Sequence, residues 1–137
     1  MLETSHLFQE IYEQPDALAR LLTQGQESAR QIAAALWERS ITHVVIAARG
    51  TSDNAARYAK YVWGAFNRLS VALATPTLFS QYQQPPQMTG ALVVGVSQSG
   101  QSPDIVNVLV EGKRQGCPTL AITINPESPL AQTADFV

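Results

Sequence analysis

The chain has 137 residues, of which 45% are hydrophobic and 15% are charged, and its formal net charge is −2. This length is enough for one domain with a hydrophobic core, and the composition is that of an ordinary globular protein. The near-neutral charge without a run of Lys or Arg argues against a nucleic-acid surface, and no apolar stretch approaches the ~18 residues of a membrane span.

The charge and the short apolar stretches argue against nucleic acid or a membrane as a partner. The cysteine content and the N-terminal residues favour a cytoplasmic location. The single Cys117 can form neither an intrachain disulfide nor a cysteine-based metal cluster, and we interpret it as a residue that fills space. Residues 1–13 lack the basic start and apolar run of a signal peptide. We expect neither a metal nor an organic cofactor.

Residues 1–40 are predicted to form a helical arm of two or three helices, because apolar side chains recur there at helical spacing. Pro15 is expected to end one helix or begin the next, and Gly25 to separate two helices. The exposed face would carry Leu18, Leu21 and Leu22. Two interpretations stay open for the arm: helices that pack on the rest of the chain, or a dimerisation neck.

Residues 41–137 alternate between apolar strands and helices and are predicted to form one α/β domain. The strands are expected at 43–47, 70–74, 91–96 and 119–124, with a fifth beginning at 135–137, and helices at 55–66, 77–82, 103–115 and 130–133. Such strands imply a parallel sheet covered on both faces. We predict a three-layer α/β/α fold with a parallel sheet of about five strands. Because a strand starts at the last residues, we expect the chain to be truncated at the last strand.

The segment Gly95–Asp104 follows an apolar strand and opens a helix. It contains the hydroxyls of Ser97, Ser99 and Ser102, the amide of Gln98 and a flexible Gly100. Ser102, then a proline, then an acid is a strong helix start. Backbone N–H groups and hydroxyls at the start of a helix form a site for an anion, above all a phosphate ester.

A second loop of the same kind, Gly50–Asp53, follows the first strand. In a parallel sheet both loops lie beyond the C-terminal ends of the strands, where ligands bind in open α/β sheets. A phosphate monoester offers roughly −1.5 to −2 charges to such donors, and no lysine is required. The predicted phosphate- and sugar-binding residues are Thr51, Ser52, Ser97, Gln98, Ser99 and Ser102, with Gly50 and Arg49 as possible additions.

Each of these residues also has a purely structural interpretation. Ser52 and Ser102 could be N-caps, and Asp53 and Asp104 are expected as first-turn acids that complement the helix dipole. Arg49 is expected either to pair with the phosphate or to lie at the rim. Ser97 and Ser99 favour a ligand site, because they precede the cap position and have no capping role.

Rival motifs fail on specific residues. Gly95–Ser99 nearly matches the G-x-S-x-G nucleophile elbow but lacks the second glycine, and His6 and His43 both precede it. Neither G-x-x-x-x-G-K-[ST] nor G-x-G-x-x-G occurs, which excludes a P-loop and removes the fingerprint of a dinucleotide fold.

Three segments together resemble the sugar isomerase (SIS) family: Arg49–Asn54, Ser97–Asp104 and Glu10–Pro15. Within that family the chain is most similar to the first SIS module in the isomerase part of glucosamine-6-phosphate synthase and to related deaminases. The resemblance implies a flavodoxin-like or Rossmann-like sheet, a sugar phosphate as ligand, and a homodimer. It also implies that Ser52, Ser97, Gln98, Ser99 and Ser102 hold the sugar 6-phosphate and that Thr51 contacts phosphate or sugar.

The resemblance further implies aldose–ketose isomerisation of an amino-sugar phosphate, with the catalytic glutamate, lysine and histidine supplied by a second module. We therefore expect the isolated chain to be inactive, with its catalytic residues outside this sequence. The glutaminase half of the synthase is missing too, which favours a deaminase or isomerase. Two alternatives stay open: a regulatory SIS module that senses a phosphosugar, and a single-module sugar-phosphate isomerase, which would need a base of its own.

Overall fold

The computed structural model describes residues 5–137, which fall into two compact units, residues 5–39 and residues 40–137. The first unit is a helical pair, α1 (His6–Gln24) and α2 (Gln26–Trp37), with Gly25 between them. The Oγ of Ser5 accepts a hydrogen bond from the backbone N–H of Phe8 and caps α1. The expectation that Pro15 ends a helix is wrong, because α1 runs through it. A proline removes one helical hydrogen bond, while the turns on either side keep theirs.

The second unit is a four-stranded parallel sheet with helices between its strands. The strands are β1 (His43–Ala48), β2 (Ser70–Leu73), β3 (Ala91–Val96) and β4 (Thr119–Ile122). The helices are α3 (Thr51–Asn67), α4 (Pro76–Ser80), α5 (Pro103–Arg114) and α6 (Pro129–Thr133). The strand order is β2-β1-β3-β4, and every pairing is parallel. The predicted three-layer α/β/α fold is confirmed.

The two central strands, β1 and β3, are apolar apart from His43 at the start of β1, because helices cover both of their faces. Val45 and Val93 belong to a core cluster with Leu109 of α5. Val44 and Ile46, on the opposite face of β1, are also buried, and α3 packs against β1, β2 and β3. Burial of each such side chain stabilises the fold by about 1.5–3 kcal/mol.

The connections that leave β1 and β3 run to opposite sides of the sheet, although the strands themselves are parallel. From β1 the chain runs through α3 to the neighbouring edge strand β2, and from β3 it runs through α5 to the other edge strand β4. Helices that leave adjacent strands in opposite directions open a crevice at the C-terminal ends of those strands. The second unit therefore has its switch point between the two loops that carry the predicted ligand residues.

The expected fifth strand is the one correction to the sheet. Phe136 pairs with Leu120 only through an isolated parallel bridge. The Asp135 side chain accepts hydrogen bonds from the backbone N–H and the Oγ1 of Thr119, at 2.9 Å each. The segment is thus held by side-chain bonds as well as one bridge, and it forms no strand ladder.

Among residues 5–137 no helix is both long enough and apolar enough to cross a membrane.

Candidate functional site

The loop between β1 and α3 turns sharply at Gly50. Gly50 has φ +59° and ψ −133°, a conformation that a residue with a side chain rarely adopts. Gly50 is also the N-cap of α3, and no side chain caps this end. Ser52 is the second residue of the helix, so its interpretation as an N-cap is wrong. The amides and hydroxyls of Thr51 and Ser52 therefore belong to the first turn of α3.

The loop between β3 and α5 is held by its own serines. The Oγ of Ser97 accepts a hydrogen bond from the N–H of Gly100 at 3.2 Å, and the Oγ of Ser99 accepts one from the N–H of Gln101 at 3.3 Å. Both hydroxyls therefore have a local structural role, which the sequence did not indicate. A hydroxyl that accepts a hydrogen bond keeps its own hydrogen to donate. The two serines can thus shape the loop and still donate to an anion.

The segment after β4 supports the same loop. The carbonyl oxygen of Gln98 accepts hydrogen bonds from the Oγ1 of Thr123 at 3.0 Å and from the N–H of Ile124 at 3.2 Å. The carbonyl oxygen of Gly100, a buried residue with φ +65°, accepts one from the N–H of Leu130 at 3.2 Å. These carbonyls are engaged within the protein, so hydrogen bonds fix the loop to the segment after β4.

Ser102 occupies the N-cap position of α5, as the sequence predicts, but its side chain does not cap the helix. Its carbonyl oxygen accepts the N–H groups of Ile105 and Val106 at 3.1 Å each. Pro103 takes the first helical position, where a missing N–H costs nothing. The Ser102 hydroxyl therefore makes no hydrogen bond to the start of the helix, contrary to its interpretation as a side-chain N-cap.

The two loops lie side by side at the same edge of the sheet. Ala48, the last residue of β1, pairs with Val96, the last residue of β3, and paired strands run about 4.8 Å apart. The predicted residues therefore come together at the ends of two neighbouring strands: Arg49, Gly50, Thr51 and Ser52 after one, and Ser97, Gln98, Ser99 and Ser102 after the other.

Two ion pairs stand at this edge. The Nη2 of Arg49 lies 2.6 Å from the Oδ2 of Asp104, which joins the two loops directly. The Nε of Arg57 lies 2.8 Å from the Oδ2 of Asp53, within α3. Both acids stand in the first turn of a helix, as expected. Neither pair was predicted from the sequence. The i,i+4 spacing could have revealed the pair within α3, but nothing in the sequence links the other two residues.

This arrangement favours binding rather than acid–base chemistry. The two helix N-termini and the serine and threonine hydroxyls are neutral or partly positive donors, which suit a phosphate ester. The carboxylates of the two loops, Asp53 and Asp104, are both ion-paired with arginines. Residues 5–137 contain no group of three or more His, Cys, Asp or Glu side chains that could hold a metal ion.

Curated proteins that are similar in sequence to this chain include two enzymes of sugar 6-phosphates. Glutamine–fructose-6-phosphate aminotransferase (isomerizing) of Bradyrhizobium diazoefficiens is 29% identical over 133 residues, which are 93% of this chain and 22% of that enzyme. N-acetylmuramic acid 6-phosphate etherase of Symbiobacterium thermophilum is 50% identical over 46 residues, which are 34% of this chain and 15% of the etherase. The chain thus spans about a fifth of the first relative's length.

A solved structure and a family model agree with these relatives. A Silicibacter pomeroyi protein assigned as a phosphosugar isomerase superposes with a TM-score of 0.87 and 37% identity, over 93% of this chain and 39% of that one. The model of the SIS domain matches residues 39–137. Most of the chain is therefore covered by one family description, and the predicted resemblance is confirmed: this chain belongs to the SIS domain family.

Proposed function

We propose that the chain is the phosphosugar-binding first module of an isomerase, aminotransferase or deaminase that acts on glucosamine 6-phosphate or fructose 6-phosphate. The observation that carries this proposal is the pairing of Ala48 with Val96, because it brings two hydroxyl-bearing loops and two helix N-termini to one edge. A phosphate group needs several donors that converge on three oxygens, and the hydroxyls and helix N-termini of these loops are donors of that kind.

The expected affinity is moderate. A hydrogen bond to a charged group contributes about 1.5–3 kcal/mol, and a helix N-terminus adds about 0.3–1 kcal/mol. After the cost of immobilising the sugar, several such bonds give dissociation constants from about 1 μM to about 1 mM. The ligand phosphate would be held largely by neutral donors, since Arg49 and Arg57 are each paired with an aspartate.

The names of the two relatives support the phosphate as the common feature of the ligand. One acts on fructose 6-phosphate and the other on N-acetylmuramic acid 6-phosphate. Their sugars differ in size and substituents, and what the two compounds share is a 6-phosphate. We therefore propose that this chain binds the phosphate and that residues elsewhere select the rest of the sugar.

Turnover would require groups beyond these loops. A general acid or base must be free to exchange a proton with the substrate, whereas Asp53 and Asp104 are held in ion pairs. We therefore propose that the catalytic groups come from a second module and that the isolated chain binds sugar phosphate without converting it. Assembly as a homodimer and a cytoplasmic location belong to the same proposal.

The proposal can be tested by titrating the ¹⁵N-labelled chain with fructose 6-phosphate and glucosamine 6-phosphate and following the backbone amide signals. We expect the signals of residues 50–52 and 97–102 to shift in a saturable way. The unphosphorylated sugars should leave them unchanged. Equal shifts with fructose and fructose 6-phosphate, or shifts confined to other residues, would contradict the proposal.

A pair of serine variants sharpens this test. Ser52→Ala removes a hydroxyl of the site and should weaken binding roughly tenfold or more, as expected for a lost bond to a charged group. Ser70→Ala is the matched control, because Ser70 is exposed and begins β2, so it lies at the N-terminal ends of the strands, away from the site. Affinity of the control should equal that of the unmodified chain.

A further inference from the structure

The guanidinium of Arg49 is held by groups from two helices that follow other strands of the sheet. Its Nη2 lies 2.6 Å from the Oδ2 of Asp104 in α5 and donates a hydrogen bond to the Oγ1 of Thr77 in α4 at 3.3 Å. Arg49 itself follows β1 and directly precedes Gly50. One side chain therefore connects the segments that leave β1, β2 and β3.

We propose that Arg49 is a positioning residue for the phosphosugar: held by Asp104 and Thr77, it fixes the spacing between the Gly50–Ser52 loop and the Ser97–Ser102 loop. This inference rests on the proposed function, and it deepens it by naming the residues that keep the two halves of the site in register. Arg49 is not required to touch the ligand.

The geometry makes such a link useful. Gly50, the next residue, has a backbone conformation that other residues rarely adopt, and no side chain caps the start of α3 that follows it. The Ser97–Ser102 loop, in contrast, is held by hydrogen bonds from Thr123, Ile124 and Leu130. The ion pair with Asp104 links the uncapped start of α3 to this supported loop. Donors set in place before binding raise affinity by lowering its entropic cost.

A simple charge argument predicts the opposite result for one variant, which makes the inference testable. If only net charge mattered, Asp104→Asn would tighten binding of a phosphate anion, because it removes a negative charge and releases the guanidinium. If positioning matters, the same variant weakens binding. The side chains of Arg49 and Asp104 are 48% and 32% exposed, so we expect little loss of stability from breaking the pair.

The test measures the affinity of the full chain for fructose 6-phosphate by amide-shift titration, with unfolding midpoints measured in parallel. Arg49→Gln, Asp104→Asn and the double variant should each weaken binding about tenfold, the double no more than either single, as expected for two residues that act as one unit. Arg114→Gln is the control, since it breaks an arginine–glutamate pair in the last turn of α5, at the opposite end of that helix from the site. Its affinity should stay within about twofold of that of the unmodified chain.

Each outcome decides the matter. Equal or tighter binding by Asp104→Asn, or additive losses in the double variant, overturns the positioning role while the proposed function stands. No binding by the unmodified chain overturns both. Should Arg49→Gln unfold, Arg49→Lys replaces it: it keeps the charge but puts a compact ammonium on a flexible stem in place of the rigid guanidinium. The same weakening with Lys, at an unchanged unfolding midpoint, supports positioning, and full affinity refutes it.

Discussion

Gly100 packs directly against Ser128, and a Cβ atom added at Gly100 would collide with the Ser128 hydroxyl. The two residues come from different loops, one after β3 and the other after β4. Gly100 is buried and has φ +65°, and Ser128 is fully buried. The position of the Ser97–Ser102 loop therefore depends on the absence of a side chain at one residue.

Replacing this glycine should damage both the fold and the site. We expect Gly100→Ala to destabilise the protein by about 2–4 kcal/mol, from left-handed backbone strain together with overpacking. Sugar phosphate binding should fall with it, because the loop must move to relieve the collision. Chemical denaturation and the ligand titration measure the two effects.

Gly116→Ala provides the control for the backbone contribution alone. Gly116 also has positive φ, +76°, but an added Cβ there would meet nothing within 4 Å. We expect a loss of about 1–2 kcal/mol from strain, with affinity unchanged. If the two variants were equally stable, the contact between Gly100 and Ser128 would have no energetic importance.

Ser102 and Ser128 should respond to alanine in opposite ways. Both are N-caps, but only the Ser128 Oγ accepts a bond from its helix, from the N–H of Ala131 at 3.3 Å. Ser128→Ala should therefore cost about 1 kcal/mol of stability, as lost caps usually do, and leave affinity nearly unchanged. Ser102→Ala should leave stability unchanged within about 0.5 kcal/mol and weaken phosphosugar binding roughly tenfold.

The comparison separates a ligand hydroxyl from a capping hydroxyl. Unfolding midpoints and dissociation constants are measured for both variants under the same conditions. A destabilised Ser102→Ala with normal affinity would mean that the hydroxyl serves the helix and not a ligand.

Asp135 should make the second unit more stable at neutral pH than in acid. Burial opposes ionisation of its carboxyl, but hydrogen bonds from Lys113 and Thr119 outweigh burial and hold the pKa of Asp135 below its usual value. Its contribution to stability is therefore complete above the unfolded pKa of about 3.9 and is lost as pH falls through the lower folded pKa.

The variant Asp135→Asn isolates this contribution. It should be less stable than the unmodified chain by about 1 kcal/mol at pH 7. The difference should shrink below about pH 4, where this carboxyl takes up a proton in the unfolded chain before it does so in the native protein. A difference that stayed constant from pH 7 to pH 3 would show that charge on Asp135 has no part in it.

Cys117 should be an inert thiol in the native protein. It is buried, its Sγ donates to the carbonyl oxygen of Met88 at 2.9 Å, and burial raises the pKa of the thiol. Since only the thiolate reacts readily, we expect slow labelling by a thiol reagent at pH 8 and fast labelling in denaturant. Rapid labelling of the native chain would contradict the packing around Cys117.

The parallel sheet could be predicted from the sequence because its signal is local. The apolar runs of β1 and β3 and the loop residues between strand and helix are visible in any short window. Events at the ends of elements were harder. α1 continues through Pro15, and Phe136 forms a bridge instead of a strand. Both outcomes depend on neighbouring hydrogen bonds that the local sequence does not determine.

The candidate site was predictable to the extent that its residues lie next to strand ends. The hydroxyls after β1 and β3 were found this way. The parallel sheet places both sets at the same end of the strands, and the strand order β2-β1-β3-β4 makes them neighbours. The partners of Arg49 and of Gly100 were not found. Arg49 meets Asp104, and Gly100 meets Ser128, only after the strands are paired. The spacing of these residues along the sequence does not indicate that they are in contact.

The most direct test of the account is the position of the phosphorus atom in a crystal structure of the chain with fructose 6-phosphate. We predict that the phosphate lies between residues 50–52 and 97–102 and accepts hydrogen bonds from both loops at about 2.7–3.2 Å. A phosphate bound by one loop alone, or at any other surface of the chain, would contradict it.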